Sequence, residues 1–471
     1  MREVQSASAW RLRTLLYFRQ SIEYRSELLP WLKAWWLPLS TLRDERTNKF
    51  MLQRLMVLLV VFTPLCIQAE NWPGFRGPTG QGMSSEKGLP TEWSSTSNVA
   101  WKTEIPGEGW SSPVIYGDRI FVTTATDAGV SGHVLCLKRQ TGQVLWNKEV
   151  IQQTPKRKEK RNSYATPTPV TDGKRVYVAF GDGSIAALSM KGDVIWTNRD
   201  FKYYSQHGLG VSPILYRDLL IIPFDWSSEG EDKKVGWQKP WDKSVILALD
   251  RNTGKLRWKG QRGLSRIAHV TPNILRENGQ DQLISGAGDV IQGFNPNTGE
   301  RLWWARSQGE GVVPSVVIGD GLVFTASGFE QPTIRAVRTG GKGDVTQTHI
   351  AWEQTRNVPS VPSFVYVKPH LFTITDAGVA ACLKADTGEV VWQERIGGTH
   401  AASPIHADGK IYFLSMEGES VIIEAKPEFK LLARNSLDEY CQASPAASQG
   451  QLFLRSEKNL YCISKTPAST R

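Results

Sequence analysis

The chain has 471 residues, 40% of them hydrophobic, which excludes a disordered polymer, and its 42 glycines and 25 prolines exclude a fold built of long helices. Its formal charge of +10 is uneven, because residues 1–69 carry ten Lys/Arg against five Asp/Glu, half of the excess. The mild balance left, with no basic stripe interleaved with aromatics, argues against nucleic acid as a partner.

In chain order the first feature is a signal-like run. Met51 opens MLQRLMVLLVVFTPLCIQAEN, a basic residue followed by an apolar core from Leu55 to Ile67 and a polar boundary after Ala69. The core is shorter than the ~20 residues that span a bilayer, so residues 51–69 read as a cleaved signal peptide. Export to a periplasm or beyond follows, with no stable membrane span after cleavage and a mature chain that begins near Glu70. Leu65 stands before Cys66 where a lipoprotein anchor needs a small residue. Residues 1–50 leave two readings open: a start codon placed too early, or a leader whose PWLKAWWLPL stretch lies at a membrane interface. Residues 70–94 form an N-terminal extension.

The mature chain repeats. A glycine precedes a tryptophan by four residues at Gly142/Trp146, Gly192/Trp196, Gly254/Trp258, Gly299/Trp303 and Gly388/Trp392, and a looser unit ends at Trp352. A second marker is a proline, usually after Ser, Thr or Val: Pro113, Pro169, Pro213, Pro272, Pro314, Pro362, Pro404 and Pro445, spaced 41 to 59 residues apart. Each unit reads as four short strands, for example SPIHADG, KIYFLS, ESVIIEA and FKLLARN. Repeats of this length with four strands are propeller blades. The proline then falls at the innermost strand, whose free edge lines the channel, and the tryptophan falls on the outermost, where it packs between blades. The last unit stops at NLYCISK after three strands, while Trp101 in NVAWKTEI lies 45 residues before Trp146. The expected fold is therefore all-β: an eight-bladed propeller of four-stranded antiparallel blades over residues 95–465, closed by pairing of the N- and C-terminal strands and followed by a tail, 466–471. The docking tryptophans are Trp101, Trp146, Trp196, Trp258, Trp303, Trp352 and Trp392, and Ala433 breaks the series.

Loops that enter the innermost strands converge on one mouth of the channel. This brings together Trp110, Tyr164, His207, Arg266, His269, Glu310, Arg356, His400 and Tyr440, a set able to bind a ligand or peptide or to satisfy local backbone. The long connection 226–243, with Trp226, Trp237, Trp241 and Pro240, either caps that mouth or packs outside the blades. His207, His269 and His400 lack compact metal-ligand spacing, the run Lys156–Arg161 reads as a solvated loop, and Asp182, Asp289 and Asp376 read as turn formers. Cys136, Cys382, Cys441 and Cys462 read as small buried residues rather than disulfide partners.

The unit ALDRNTGKLRW, Ala248 to Trp258, resembles the tryptophan-docking repeat of the pyrroloquinoline-quinone (PQQ) dehydrogenase-like propellers, and the resemblance covers residues 95–465. That family holds enzymes and non-catalytic scaffolds. Its enzymes are described as binding PQQ and calcium through carboxylate and amide ligands, with a catalytic Asp and a disulfide between adjacent cysteines. No Cys-Cys dipeptide stands in this chain, and no Asp lies among the mouth residues above. The resemblance thus implies a secreted, monomeric scaffold that binds a protein or polymer without cofactor. A PQQ- and calcium-dependent alcohol dehydrogenase is the alternative.

Overall fold

In the computed structural model the described residues are 70–465 apart from 228–240, 264, 278, 308, 310 and 311, with the backbone alone described at 241 and 242. Eight sheets follow one another along the chain, seven of four antiparallel strands and one that adds a fifth. Blade 1 is Val114–Tyr116, Arg119–Thr126, Ser131–Lys138 and Val144–Gln152, running from the channel outward. Blades 2 to 7 repeat that order over residues 170–198, 214–263, 273–306, 317–354, 365–395 and 405–436. Blade 8 takes Ala446–Ser448, Gln451–Arg455 and Asn459–Ile463 from the C-terminal end and Val99–Glu104 from the N-terminal end, paired antiparallel with Asn459–Ile463.

Every outermost strand carries a one-residue register shift just before its tryptophan position. Such a bulge adds twist and re-aims the side chain that follows it. Opposite each tryptophan stands a small residue: Cys136, Ala187, Ala248, Gly293, Ala336, Cys382 or Cys462. Where the outer residue is only Ala433, its partner is the large Ile422, so the pair keeps its volume. The described cysteines are free and buried, and burial pushes their thiols up to about 12.

The indoles reach the next blade. Nε1 of Trp101, Trp146, Trp196, Trp258, Trp352 and Trp392 donates to the carbonyls of Arg139, Met190, Arg251, Pro296, Ala385 and Lys426, at 2.8 to 3.2 Å. Five of these rings lie over the turn glycines Gly142, Gly192, Gly254, Gly299 and Gly388, where an added Cβ would stand 2.4 to 2.9 Å from a ring atom. The glycine serves both the positive φ of its hairpin and the seat of the neighbouring indole. Trp303 departs from this pattern. Its Nε1 turns to Gln282 of its own blade, 2.8 Å away, with the ring over Gly293. Blade 5 gives it no tight turn to cover: between Arg338 and Ile350 the chain makes the short strand Gly343–Asp344, paired parallel with Trp303–Trp304 as the fifth strand of blade 4, and a helical turn, Thr346–His349.

Glu439 fastens the composite blade. Its carboxylate accepts from Lys102 at 2.6 Å, Tyr461 at 2.6 Å and Asn459 at 2.9 Å, linking the N-terminal strand to the C-terminal one. Burial pushes this carboxyl up, but the hydrogen bonds from Lys102, Ser456, Tyr461 and Asn459 outweigh it and hold it at about 2.

Two measurements probe these contacts. Gly254→Ala strains a positive φ and also strikes the Trp196 ring at 2.5 Å, whereas Gly117→Ala strains φ with nothing within 4 Å. Urea unfolding should show a loss of about 1 kcal/mol for Gly117→Ala and at least about 2 kcal/mol for Gly254→Ala, and equal losses would refute the seat. Because the folded pKa of Glu439 is depressed below 4.5, its contribution is present above that pH and is lost as pH falls toward 2. Glu439→Gln should lower stability at pH 7 and flatten the acid limb between pH 5 and 2; an unchanged limb would contradict the latch.

Candidate functional site

Two residues before each innermost strand stands a hydroxyl: Ser112, Thr168, Ser212, Thr271, Ser315, Ser363, Ser403 and Ser444. They stitch adjacent blades. The backbone N–H of Ser112 donates to Thr168 Oγ1, Thr168 to Ser212 Oγ and Ser212 to Thr271 Oγ1, at 2.9 to 3.1 Å. A second arc runs from Ser315 to Ser363, Ser403 and Ser444 at 2.9 to 3.0 Å. The hydroxyl is thus the position in step through all eight blades. The marker proline follows it in six, while Pro314 and Pro362 precede theirs, so the proline register slips where the hydroxyl register holds.

All eight hydroxyl residues line one cavity of about 460 Å³. Around them stand Phe75, Trp110, Glu159, Arg161, Asn162, His207, His269, Phe329, Glu330 and Gln442. Phe75 comes from the extension, which lies against the channel-side edges of the innermost strands. Trp72 bridges Ile115 of blade 1 and Met83 bridges His406 of blade 7. Between them, residues 70–88 hydrogen-bond blades 2, 4, 5, 6 and 8 through Thr171, Asn273, Ile318, Phe364 and Gly450. The cavity is therefore a cup with Phe75 contributed from the extension.

Of the expected mouth residues, Trp110, His207 and His269 line the cup. Trp110 is propped edge-on by Tyr440 at 5.7 Å. His207 and His269 meet edge-on at 6.0 Å. Burial first, and then His207, lowers His269 to about 3, so it is neutral at physiological pH. Tyr164, His400, Arg356 and Arg266 lie elsewhere. Tyr164 donates its hydroxyl to the Lys156 carbonyl. His400 is buried between the Gly397 and Leu414 carbonyls, and burial lowers its pKa. Arg356 is exposed. Arg266 is buried against Asp289 and Glu330, so Asp289 is an ion-pair partner beyond its turn role. Glu310 and Trp237 lie outside the described residues. Trp226, from the long connection, packs edge-on against Tyr203 at 6.4 Å rather than in the cup.

Sequence reasoning missed the hydroxyl ring, although Ser or Thr beside the marker proline was its visible signal. It also left Phe75 inside an unassigned extension and took Glu159 and Arg161 for a solvated run. That run is exposed, yet both residues form part of the cup wall. Among the described residues no group of three or more His, Cys, Asp or Glu is placed to hold a metal.

The sequence matches the family described as outer membrane protein assembly factor BamB over residues 91–342 and 343–427. A polyvinylalcohol dehydrogenase of a Pseudomonas species is 25% identical over 197 residues, 40% of this chain and 29% of that protein, so the chain spans less than a third of that relative's length. Among solved structures, BamB from Moraxella catarrhalis gives a TM-score of 0.55 at 14% identity, covering 78% of this chain and 97% of that one. The computationally designed protein Ika8 gives 0.54 at 10% identity, covering 77% and 98%. Identities this low carry the fold alone.

The ring has a direct stability test. Ser403→Ala removes the acceptor of the Ser363 N–H, and urea unfolding should show a loss of about 1–3 kcal/mol. Ser403→Thr should be close to neutral, since Thr168 and Thr271 fill equivalent positions; a Thr variant as weak as the Ala variant would contradict the ring's role.

Proposed function

The chain belongs to the family described as outer membrane protein assembly factor BamB, and from that premise we propose that it is an exported, non-catalytic propeller scaffold that holds a protein segment or polymer end in the cup at its channel mouth. The observation that carries the reading is the cup: a concave space of about 460 Å³ ringed by hydroxyls from every blade, with Trp110 and Phe329 as apolar walls. Binding sites have this composition, a few aromatic surfaces among convergent polar groups. Export rests on the signal-like run 51–69, and no helix of the described residues is long and apolar enough to cross a membrane.

A quinone dehydrogenase is the second reading, favoured by the polyvinylalcohol dehydrogenase relative. The lining does not fit PQQ with calcium. Calcium takes six to eight oxygen ligands, carboxylates foremost. Among the described residues the carboxylates of the lining are Glu159, which is exposed, and Glu330, which is engaged by Arg266. The floor presents hydroxyls instead.

Purified exported protein should bind its extracytoplasmic partner or polymer with an affinity that Trp110→Ala lowers at least tenfold, while circular dichroism and Tm stay near wild type. Added PQQ and calcium should produce neither a bound-quinone spectrum nor dye-linked alcohol oxidation. Turnover with PQQ would replace this reading by the second.

A further inference from the structure

The ring and the extension together define what the floor of the cup can hold, an inference that rests on the cup being the binding site. Six of the hydroxyl oxygens accept a backbone N–H from the preceding blade. Each of them keeps one O–H to donate and a further lone pair. Ser403 gives its proton to Ser363 Oγ at 3.1 Å, and Ser112 Oγ is buried without a partner. Thr168, Ser212, Thr271, Ser363 and Ser444 thus each keep an O–H to give, on a ring that lines one cavity.

Two buried cations flank it. Arg76 is 1% exposed, and its Nη2 donates to the carbonyls of Gln81, at 2.7 Å, and Phe364, the residue after Ser363. Its Nε and Nη1 are buried with no acceptor. At blade 1 Arg455, also 1% exposed, donates to the carbonyls of Ser111 and Thr123 and to Ser111 Oγ, beside Ser112. No carboxylate among the described residues pairs with either arginine. Burial lowers both to about 9, which leaves them charged at pH 7. Buried charges are ordinarily paired. Glu159 and Glu330 do not supply the pairing, the first being exposed beside Arg161 and the second held by Arg266.

We propose that the floor of the cup receives an oxyanion, held by the hydroxyl ring in the field of Arg76 and Arg455. A carboxylate on the end of a polymer or a free phosphate offers this chemistry. Either would take the O–H donors as acceptor and compensate the buried charge.

The test is calorimetric titration of the full chain with glucuronate, glucose and inorganic phosphate. Glucuronate should bind at least tenfold more tightly than glucose. Arg76→Met should weaken glucuronate at least tenfold, and the double variant Ser363→Ala/Ser403→Ala should weaken it as well. Should Arg76→Met fail to fold, Arg76→Lys keeps the charge and should retain binding. Phosphate that competes with glucuronate shows that a free oxyanion suffices; glucuronate bound with phosphate excluded assigns the site to an acid group on a sugar ring. Glucose bound as tightly as glucuronate would overturn the oxyanion and leave the cup reading standing. Failure of all three probes to bind, with partner binding indifferent to Trp110→Ala, would overturn both.

Discussion

An indole laid over a bare glycine of the next blade is the contact on which the ring depends. Each blade alone is a small twisted sheet with two exposed faces and cannot bury its apolar residues. Stacking cures this only if successive blades keep a fixed offset. The tryptophan fixes it by three conditions at once: a bulge that aims it outward, a small residue opposite that makes room for it, and a turn glycine with a carbonyl that receives ring and N–H. Burial of 150 to 250 Å² per indole is worth up to about 4–6 kcal/mol before entropy is subtracted.

Two irregularities, at Ala433 and Trp303, follow from the same contact, read from the receiving side. Ala433 stands where blade 8 offers no turn between its third and fourth strands, because the fourth strand arrives from the other end of the chain. With no seat ahead, an indole there would stay in water, and Ile422 fills the volume from within. Trp303 faces the long connection of blade 5 and folds back onto Gly293 instead. A tryptophan in this fold is informative only with the turn that follows it.

This separates what the sequence makes legible from what it hides. The blade count, the strand order and the composite blade are readable because they rest on periodic residue types, Gly before Trp and Pro near Ser, and eight sheets with the terminal strands paired is what the structure has. The cup is only partly readable. Trp110, His207 and His269 are recognisable as loop residues before an inner strand, but the same rule names His400, which is buried between two carbonyls instead. A position before a strand fixes which end of the channel a residue is near, not which way its side chain turns. Phe75 and Arg76 were out of reach for a different reason. They belong to no repeat, and their place depends on long-range bonds such as Arg76 to Phe364, 288 residues away.

The extension also ties the cup to the closure of the ring. Residues 70–88 line the channel side of the blades, Trp93 and Thr91 are clamped by the two ends of the Asn435 amide, and the chain then enters the strand Val99–Glu104 that completes blade 8. Floor and clasp are one covalent segment. The strand cannot leave blade 8 without pulling on the segment that carries Phe75 and Arg76, and a cup emptied of that segment loses part of its lining. Any ligand that binds the assembled cup therefore binds the closed ring in preference to the open one, and stabilises closure by mass action. The link between cup and clasp is thus made by a segment that the repeat itself does not contain.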